Sequence, residues 1–288
     1  MSPIVVLGDV MVDVVCHLAG PIAPGSDSPA SISMGGGGSA ANVAAWLAVA
    51  GAHPAMVGRV GADERGAAAE AALLATGVET WLAVDDERPT GTCVVLVAPG
   101  GERSMVPDAG ANDGLMDADL PDSLLVPGAH LHVAGYPLLR EGSRGAARSA
   151  IARGRAREVS VSVDPSSAAL LSPAFLDDLA GVGLLLPNAE EATALTGEGD
   201  PERAARSLAE RVPEVVVTLG ADGALWTDGR DLCRAAAAPA AVIDTTGAGD
   251  AFAAGLLAAR VAGAAPEAAL HAGCRLAARA VRTPGARP

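Results

Sequence analysis

The amino-acid sequence predicts an α/β fold: one mostly parallel sheet with helices on both faces, and a small separate sheet beside it. Three observations predict this. From about residue 129 onward, short β-branched or Leu-rich runs alternate with Ala/Arg-rich helical stretches, the pattern of a parallel sheet covered on both sides. Two earlier segments, near 11–36 and 88–112, are β-rich and break that alternation, as excursions into a second sheet would. The chain has 288 residues, half of them hydrophobic, enough to bury a large core.

Taken in order, Ile4–Leu7 is a short β-branched run ending at Gly8, the mark of a buried parallel strand. Residues 19–35 are rich in Gly, Pro, Ser and Ala and read as strand and loop. Residues 42–50 form an apolar helical stretch closed by Gly51; 55–60 reads as the next strand and 64–75 as the next helix, ended by Gly77. Residues 94–97 and 104–106 flank Pro99-Gly100-Gly101, a hairpin signal. Strands follow at 131–133, 159–163, 182–186 and 215–219, with helices between them. Two C-terminal helices complete the set, at 251–262 and about 267–282, the second with Pro266 near its start. With no linker or internal repeat in view, 1–288 reads as one domain.

The formal charge of −14 argues against nucleic acid and anionic membrane surfaces as partners. Cys16, Cys93, Cys233 and Cys274 lie far apart without a CxxC pair, which disfavours disulfides and zinc and suits a reducing cytoplasm. No basic leader precedes the first strand, and the apolar stretches are too interrupted to span a bilayer.

The chemistry is most legible at 244–252, Asp-Thr-Thr-Gly-Ala-Gly-Asp-Ala-Phe, a Gly-rich turn opening into an apolar helix. Such a turn aims free N–H groups and the helix dipole at one point, which suits a phosphate. A carboxylate there, Asp250, is unfavourable unless it has work to do; taking a proton from a hydroxyl that attacks the phosphate is such work. A Walker A loop is excluded because it requires lysine and the chain contains none.

A second Gly-rich string covers 35–44, Gly-Gly-Gly-Gly-Ser-Ala-Ala-Asn-Val-Ala. Its glycines allow close approach to the backbone, and Asn42 either bonds sugar hydroxyls or caps the helix. The string also fits a loose dinucleotide pattern, but it does not follow the first strand. Asp9 and Asp13 do follow that strand, where ligands of α/β sheets bind; solvated turn carboxylates are the plain alternative. Asn188 with Glu191 is also an ordinary capping box, and the run from Thr218 through Gly220 to Gly223 an ordinary turn.

Together the strings at 35–44 and 244–252 resemble the two signatures of the ribokinase-like (PfkB) family of carbohydrate and nucleoside kinases. The resemblance runs through most of the chain in order. It implies a ribokinase-like three-layer α/β/α sandwich with a mostly parallel central sheet, the early β-rich excursions forming a small β-sheet lid. It implies Asp250 as general base, the amides of Gly247, Ala248 and Gly249 as anion hole, and Asp9, Asp13, Gly37, Gly38 and Asn42 around the acceptor. Asn188 and Glu191 match an Asn-x-x-Glu motif that holds Mg²⁺ and phosphates, mostly through water. Thr218, Gly220 and Gly223 would lie along ATP. Asp164, directly after the strand at 159–163, stands at the same sheet edge and could face its phosphates. Asp244 and Thr246, with carbonyls from 280–285 such as Ala280 and Gly285, match a monovalent-cation site, hence K⁺. Relatives often pair through exposed lid sheets, so a homodimer is implied. Arg103, in the lid hairpin, either clamps a phosphate or faces solvent.

The expected activity is transfer of the γ-phosphoryl group of ATP to a hydroxyl, primary by expectation, of a small sugar or sugar acid. An acidic protein can still hold ATP if amides, Arg and Mg²⁺ neutralise the phosphates. The aromatic residues (two Phe, three Trp, one Tyr) all fall outside 11–36 and 88–112, which favours a polyhydroxylated acceptor over a flat base. Met11 stands where ribokinase-type members carry Asn, which argues against ribose itself. A nucleoside kinase of the same family and a non-catalytic sugar-binding regulator remain as alternatives. His53, His130, His132 and His271 are scattered and read as core or surface residues.

Overall fold

The computed structural model describes residues 3–288. Its strands are β1 (Ile4–Leu7), β2 (Met11–Leu18), β3 (Ala30–Gly37), β4 (Pro54–Gly61), β5 (Glu79–Asp85), β6 (Gly91–Val97), β7 (Arg103–Asp108), β8 (His130–Ala134), β9 (Ser160–Asp164), β10 (Leu184–Leu185), β11 (Glu214–Thr218), β12 (Ala224–Thr227) and β13 (Leu232–Ala235). Its helices are α1 (Ser39–Val49), α2 (Glu64–Ala75), α3 (Tyr136–Leu139), α4 (Glu141–Ala156), α5 (Ala189–Thr196), α6 (Pro201–Leu208), α7 (Ala248–Val261) and α8 (Pro266–Ala280).

Nine strands form the main sheet in the order β13-β12-β11-β10-β9-β8-β1-β4-β5, parallel from β11 to β5 and antiparallel at β12 and β13. Strand side chains alternate between faces, and β1 shows what that produces. Ile4 and Val6 join the core under α1, α2, α7 and α8, while Val5 and Leu7 join the core under α4, α5 and α6. An uninterrupted apolar strand is therefore the condition for three layers.

The small sheet runs β3-β2-β6-β7, with β2–β6 parallel and both outer pairs antiparallel. In register, Met11, Asp13, Cys93 and Pro107 share its inner face, which lines a cavity against the main sheet. Val14, Met34, Ile32, Val94 and Val106 share the outer face, where Ile32, Met34 and Val106 are each more than half exposed.

Several expected bounds differ, each for a local reason. Helix α1 begins at Ser39 rather than at Asn42, because Gly38, at φ 91°, already turns the chain into it. No α-helix joins β9 to β10; Pro165, Pro173 and a positive φ at Ser166 leave only short 3₁₀ turns. The strand expected at 182–186 shortens to β10, although Gly183 and Leu186 still donate to Val161 and Val163 of β9. Strands β5, β12 and β13 went unrecognised because their residues mix polar and apolar types without clean alternation. Among the described residues no helix is long and apolar enough to cross a membrane.

Candidate active site

The C-terminal ends of β1, β8, β9, β10 and β11 open on one edge of the main sheet, and the small sheet covers that edge. A cavity of ≈ 430 Å³ lies between them. A second, mostly apolar cavity of ≈ 490 Å³ lies between α8, the turn at Gly220 and the segment 237–242. The two meet at Thr218, Gly249 and Phe252, so the start of α7 stands at their junction.

Gly247 sits in the left-handed region at φ 73°, and a Cβ there would come within 2.4 Å of the Ala286 carbonyl oxygen. The turn it makes aims the first amides of α7 at the cavity. Not all three expected amides are free: Ala248 N–H donates to the Thr245 carbonyl at 3.2 Å. Those of Gly247 and Gly249 have no acceptor among the described residues, and a Cβ on Gly249 would meet only open space. The amides left open to the cavity are therefore those of Gly247 and Gly249, while Ala248 closes the turn.

Asp250 follows in the same helical turn. Its carboxylate accepts from the Ser39 hydroxyl at 2.8 Å and the Asn42 side-chain amide at 2.9 Å, joining α7 to α1. Burial pushes its pKa up to about 6, against the lowering effect of those two donors and Arg287, with Asp13 adding a small rise. A carboxylate so placed is a stronger base than one in water.

The Gly-rich string before α1 has a physical reason the sequence did not disclose. A Cβ at Gly36 would fall 2.2 Å from the Arg287 guanidinium, one at Gly37 2.0 Å from the Asp13 carboxylate, and one at Gly38 2.4 Å from the Asp9 carbonyl oxygen. These glycines admit the protein's own polar groups to the backbone. Gly38 also lines the cavity.

Asp9 is 2% exposed, and its two oxygens accept from Arg140 at 2.8 and 2.5 Å. That bidentate pairing leaves Asp9 to act on the cavity through Arg140, which also meets Asp113 at 2.7 Å and lies over the Tyr136 ring. Asp13 faces the cavity with its pKa raised by burial, an effect the nearby Arg287 charge opposes. Asn42 is 5% exposed and uses its amide toward Asp250 and its carbonyl toward Arg287.

On the opposite wall, Asn188 and Glu191 form the capping box at the start of α5, with reciprocal bonds of 2.9 and 2.8 Å. Both also line the cavity, beside Asp164. Burial raises the pKa of both acids, and the negative charges of Glu191 and Asp250 push Asp164 up further. Carboxylates held this close, all with oxygen donors, suit a hard divalent cation shared with phosphates. Among the described residues no cluster of three or more metal-binding side chains could hold an ion unaided. Thr218 lines both cavities, and Gly220 and Gly223 line the apolar one.

Asp244 and Thr246 lie on the turn before α7 beside the tail segment: Gly285 N–H donates to Asp244 at 2.9 Å, and Thr246 donates to it through both N–H and hydroxyl. The Ala280 carbonyl accepts from Thr283. The guanidinium of Arg103, reaching across from β7, bonds Asp244, Thr245 and Thr246. Burial alone would raise the Asp244 carboxyl, but these donors outweigh it and hold the pKa down at about 2.

Sequence reasoning missed Ser39, Tyr136, Arg140 and Arg287. Ser39 stood inside the Gly-rich string, three residues before Asn42, and that helical spacing was its available signal. The other three reach the site through tertiary packing and carry no spacing to Asp250.

The whole chain, residues 1–288, matches the profile described as pfkB family carbohydrate kinase. A fructokinase of Salmonella typhimurium is 32% identical over 273 residues, covering 91% of this chain and 85% of its own. A 2-dehydro-3-deoxygluconokinase of Thermoproteus tenax is 32% identical over 249 residues, covering 81% of this chain and 75% of its own. Among solved structures, adenosine kinase from Sinorhizobium meliloti superposes with a TM-score of 0.90 at 26% identity, covering 100% of this chain and 95% of its own. Fructokinase from Vibrio cholerae O395, in a form with fructose, ADP and calcium ion bound, superposes with a TM-score of 0.85 at 28% identity, covering 99% of this chain and 94% of its own.

Proposed function

The chain belongs to the pfkB family of carbohydrate kinases, and we propose that it transfers the γ-phosphoryl group of ATP to a hydroxyl of a small sugar with Asp250 as general base. The observation that carries this reading is the position of Asp250: a half-buried carboxylate near the junction of two cavities, oriented by Ser39 and Asn42, in the first turn of a helix where the amides of Gly247 and Gly249 are free among the described residues. The apolar cavity near Gly220 and Gly223 takes the nucleotide. The cavity under the small sheet takes the acceptor, between Asp13, the Asp9–Arg140 pair and Met11.

In this arrangement Asp250 accepts the proton of the attacking hydroxyl, and the N–H groups of Gly247 and Gly249 stabilise charge on the transferring group. Asp13 accepts hydrogen bonds from other acceptor hydroxyls. The small sheet excludes water, which would otherwise compete as acceptor. Mg²⁺ bound with the nucleotide supplies neutralisation of the phosphate charge, and Glu191, Asn188 and Asp164 are the residues that would hold it, largely through water.

Tyr136 supports a second reading. It is an aromatic ring on the acceptor cavity from outside the small sheet, where a nucleoside base would find a flat apolar surface. Arg140 lies 6.0 Å over the same ring, which leaves one face for a base.

At Asp244, K⁺ and Arg103 compete for one carboxylate, so a cation there requires Arg103 to leave. The small sheet's outer face, with Ile32 64% and Met34 65% exposed, is the surface through which two copies would pair.

The experiment is ADP release from Mg·ATP against neutral sugars, sugar acids, sugar phosphates and nucleosides, with native protein and Asp250→Asn. Turnover of a sugar or sugar acid, cut about 10³-fold in Asp250→Asn with ATP binding unchanged, is the expected result. Nucleoside turnover alone transfers the assignment to the second reading, and a fully active Asp250→Asn removes Asp250 from the base role.

A further inference from the structure

Residues 285–287 are stitched into the site at three points. Gly285 N–H donates to Asp244, the buried Trp46 indole donates to the Ala286 carbonyl at 2.9 Å, and Arg287 enters between α1 and β3. Its Nε donates to the Asn42 side-chain carbonyl at 3.0 Å and its Nη2 to the Gly37 carbonyl at 2.6 Å. The guanidinium lies so close to the backbone that a Cβ at 36 would displace it.

The amide of Asn42 thus stands between a cation and a carboxylate. Its oxygen faces Arg287 and its nitrogen faces Asp250. An amide can present either end, and the wrong end would place a carbonyl oxygen against the base. A guanidinium on one side and a carboxylate on the other leave a single favourable orientation, and each bond polarises the next.

Nothing so far assigned uses Arg287. We propose that Arg287 is a positioning residue for the phosphoryl transfer: it locks the Asn42 amide in the orientation that holds Asp250 and counters the negative charge gathered around that base. The role rests on the reading of Asp250 as the base. The charged and titratable groups facing Asp250 come from every neighbouring element: Asp13 on β2, Tyr136 on α3, Asp164 at the end of β9, Glu191 on α5 and Arg287. The Asp9–Arg140 pair lines the same cavity and neutralises itself. Arg287 is the cation in this group without a private carboxylate partner. Its own pKa falls to about 10 because burial penalises the charge more than Asp13 and Asp250 restore it.

The test needs neither acceptor nor nucleotide, so a failed search for kinase activity leaves it readable. Full-length protein carrying carboxyl-¹³C aspartate is titrated by NMR as native, Arg287→Met and Arg287→Lys, with Asp250→Asn identifying the resonance. The Asp250 midpoint is expected to rise by about one unit in Arg287→Met, as loss of a neighbouring opposite charge requires, and to return toward native in Arg287→Lys. Thermal midpoints are measured on the same samples. A midpoint that stays put in a folded Arg287→Met, whether or not its melting temperature falls, reduces Arg287 to a structural pin and overturns the proposal. If Arg287→Met does not fold, Arg287→Gln carries the same comparison, since it removes the charge and keeps an amide donor.

Discussion

Asp250 shows how far one side chain's behaviour depends on its surroundings. A solvated aspartate is ionised well below neutrality and is a weak base. Here burial raises it to about 6, and the donors from Asn42 and Ser39 and the nearby charge of Arg287 keep it from rising further. Only the ionised form accepts a proton, so kcat/KM should climb with pH through about 6 and be lost as pH falls below it. A pH profile of the native enzyme checks this, and a rate flat across that region would place the base elsewhere. Arg103 poses a second question at this scale. Its guanidinium supplies to Asp244 the positive charge that a monovalent cation would otherwise bring. Native rates should therefore be indifferent to K⁺, while Arg103→Ala should become K⁺-stimulated. Strong stimulation of the native protein would show that the cation displaces Arg103.

At the scale of elements, α1 and α7 do most to build the site, and they were legible to different depths. Helix α7 was visible as a Gly-rich turn running into an apolar stretch, and Gly247 and Gly249 at its start have amides without acceptors among the described residues. Helix α1 was visible too, but the meaning of its preceding glycines was not. They clear space for Asp9, Asp13 and Arg287, which lie 24 or more residues away in sequence. The capping box of Asn188 and Glu191 and its place on the cavity wall proved compatible, because a helix N-terminus at a sheet edge offers both. The small sheet turns Met11, Asp13 and Cys93 inward and leaves Ile32, Met34 and Val106 outward, a division set by register alone. If that outer face pairs two copies, Ile32→Asp with Met34→Asp should convert a dimer to a monomer by light scattering, without loss of fold. A native monomer at all accessible concentrations would remove the pairing.

Across the whole molecule, the main sheet separates two apolar cores, and polar residues between its strands set a limit on stability. His130 on β8 bonds Ser160 and Ser162 of β9, and His132 bonds Ser162; the Nε2 of His132 is buried without a partner among the described residues. Burial lowers both pKa values, to about 4 for His130 and about 3 for His132, so both are neutral in the fold. Unfolded, they would titrate near 6.5. The unfolded chain therefore binds more protons below that point. Stability is fully present above about 6.5 and falls as pH drops toward about 4, by up to about 1.4 kcal/mol per pH unit for each group. Urea unfolding across this range should show the slope, and His132→Leu should flatten it; identical slopes would assign the acid sensitivity to the carboxylates instead. At this largest scale the division of labour is physical. Apolar alternation, turn chemistry and the two Gly-rich strings are local properties, so the sequence by itself determined the three-layer α/β fold, the family, and Asp250 at a helix N-terminus. The Asp9–Arg140 pair, the reach of Arg103 to Asp244 and the entry of Arg287 beside Asn42 join residues 131, 141 and 245 positions apart. No spacing rule connects such residues; only the packing of strands, helices and tail could bring their charges within bonding distance.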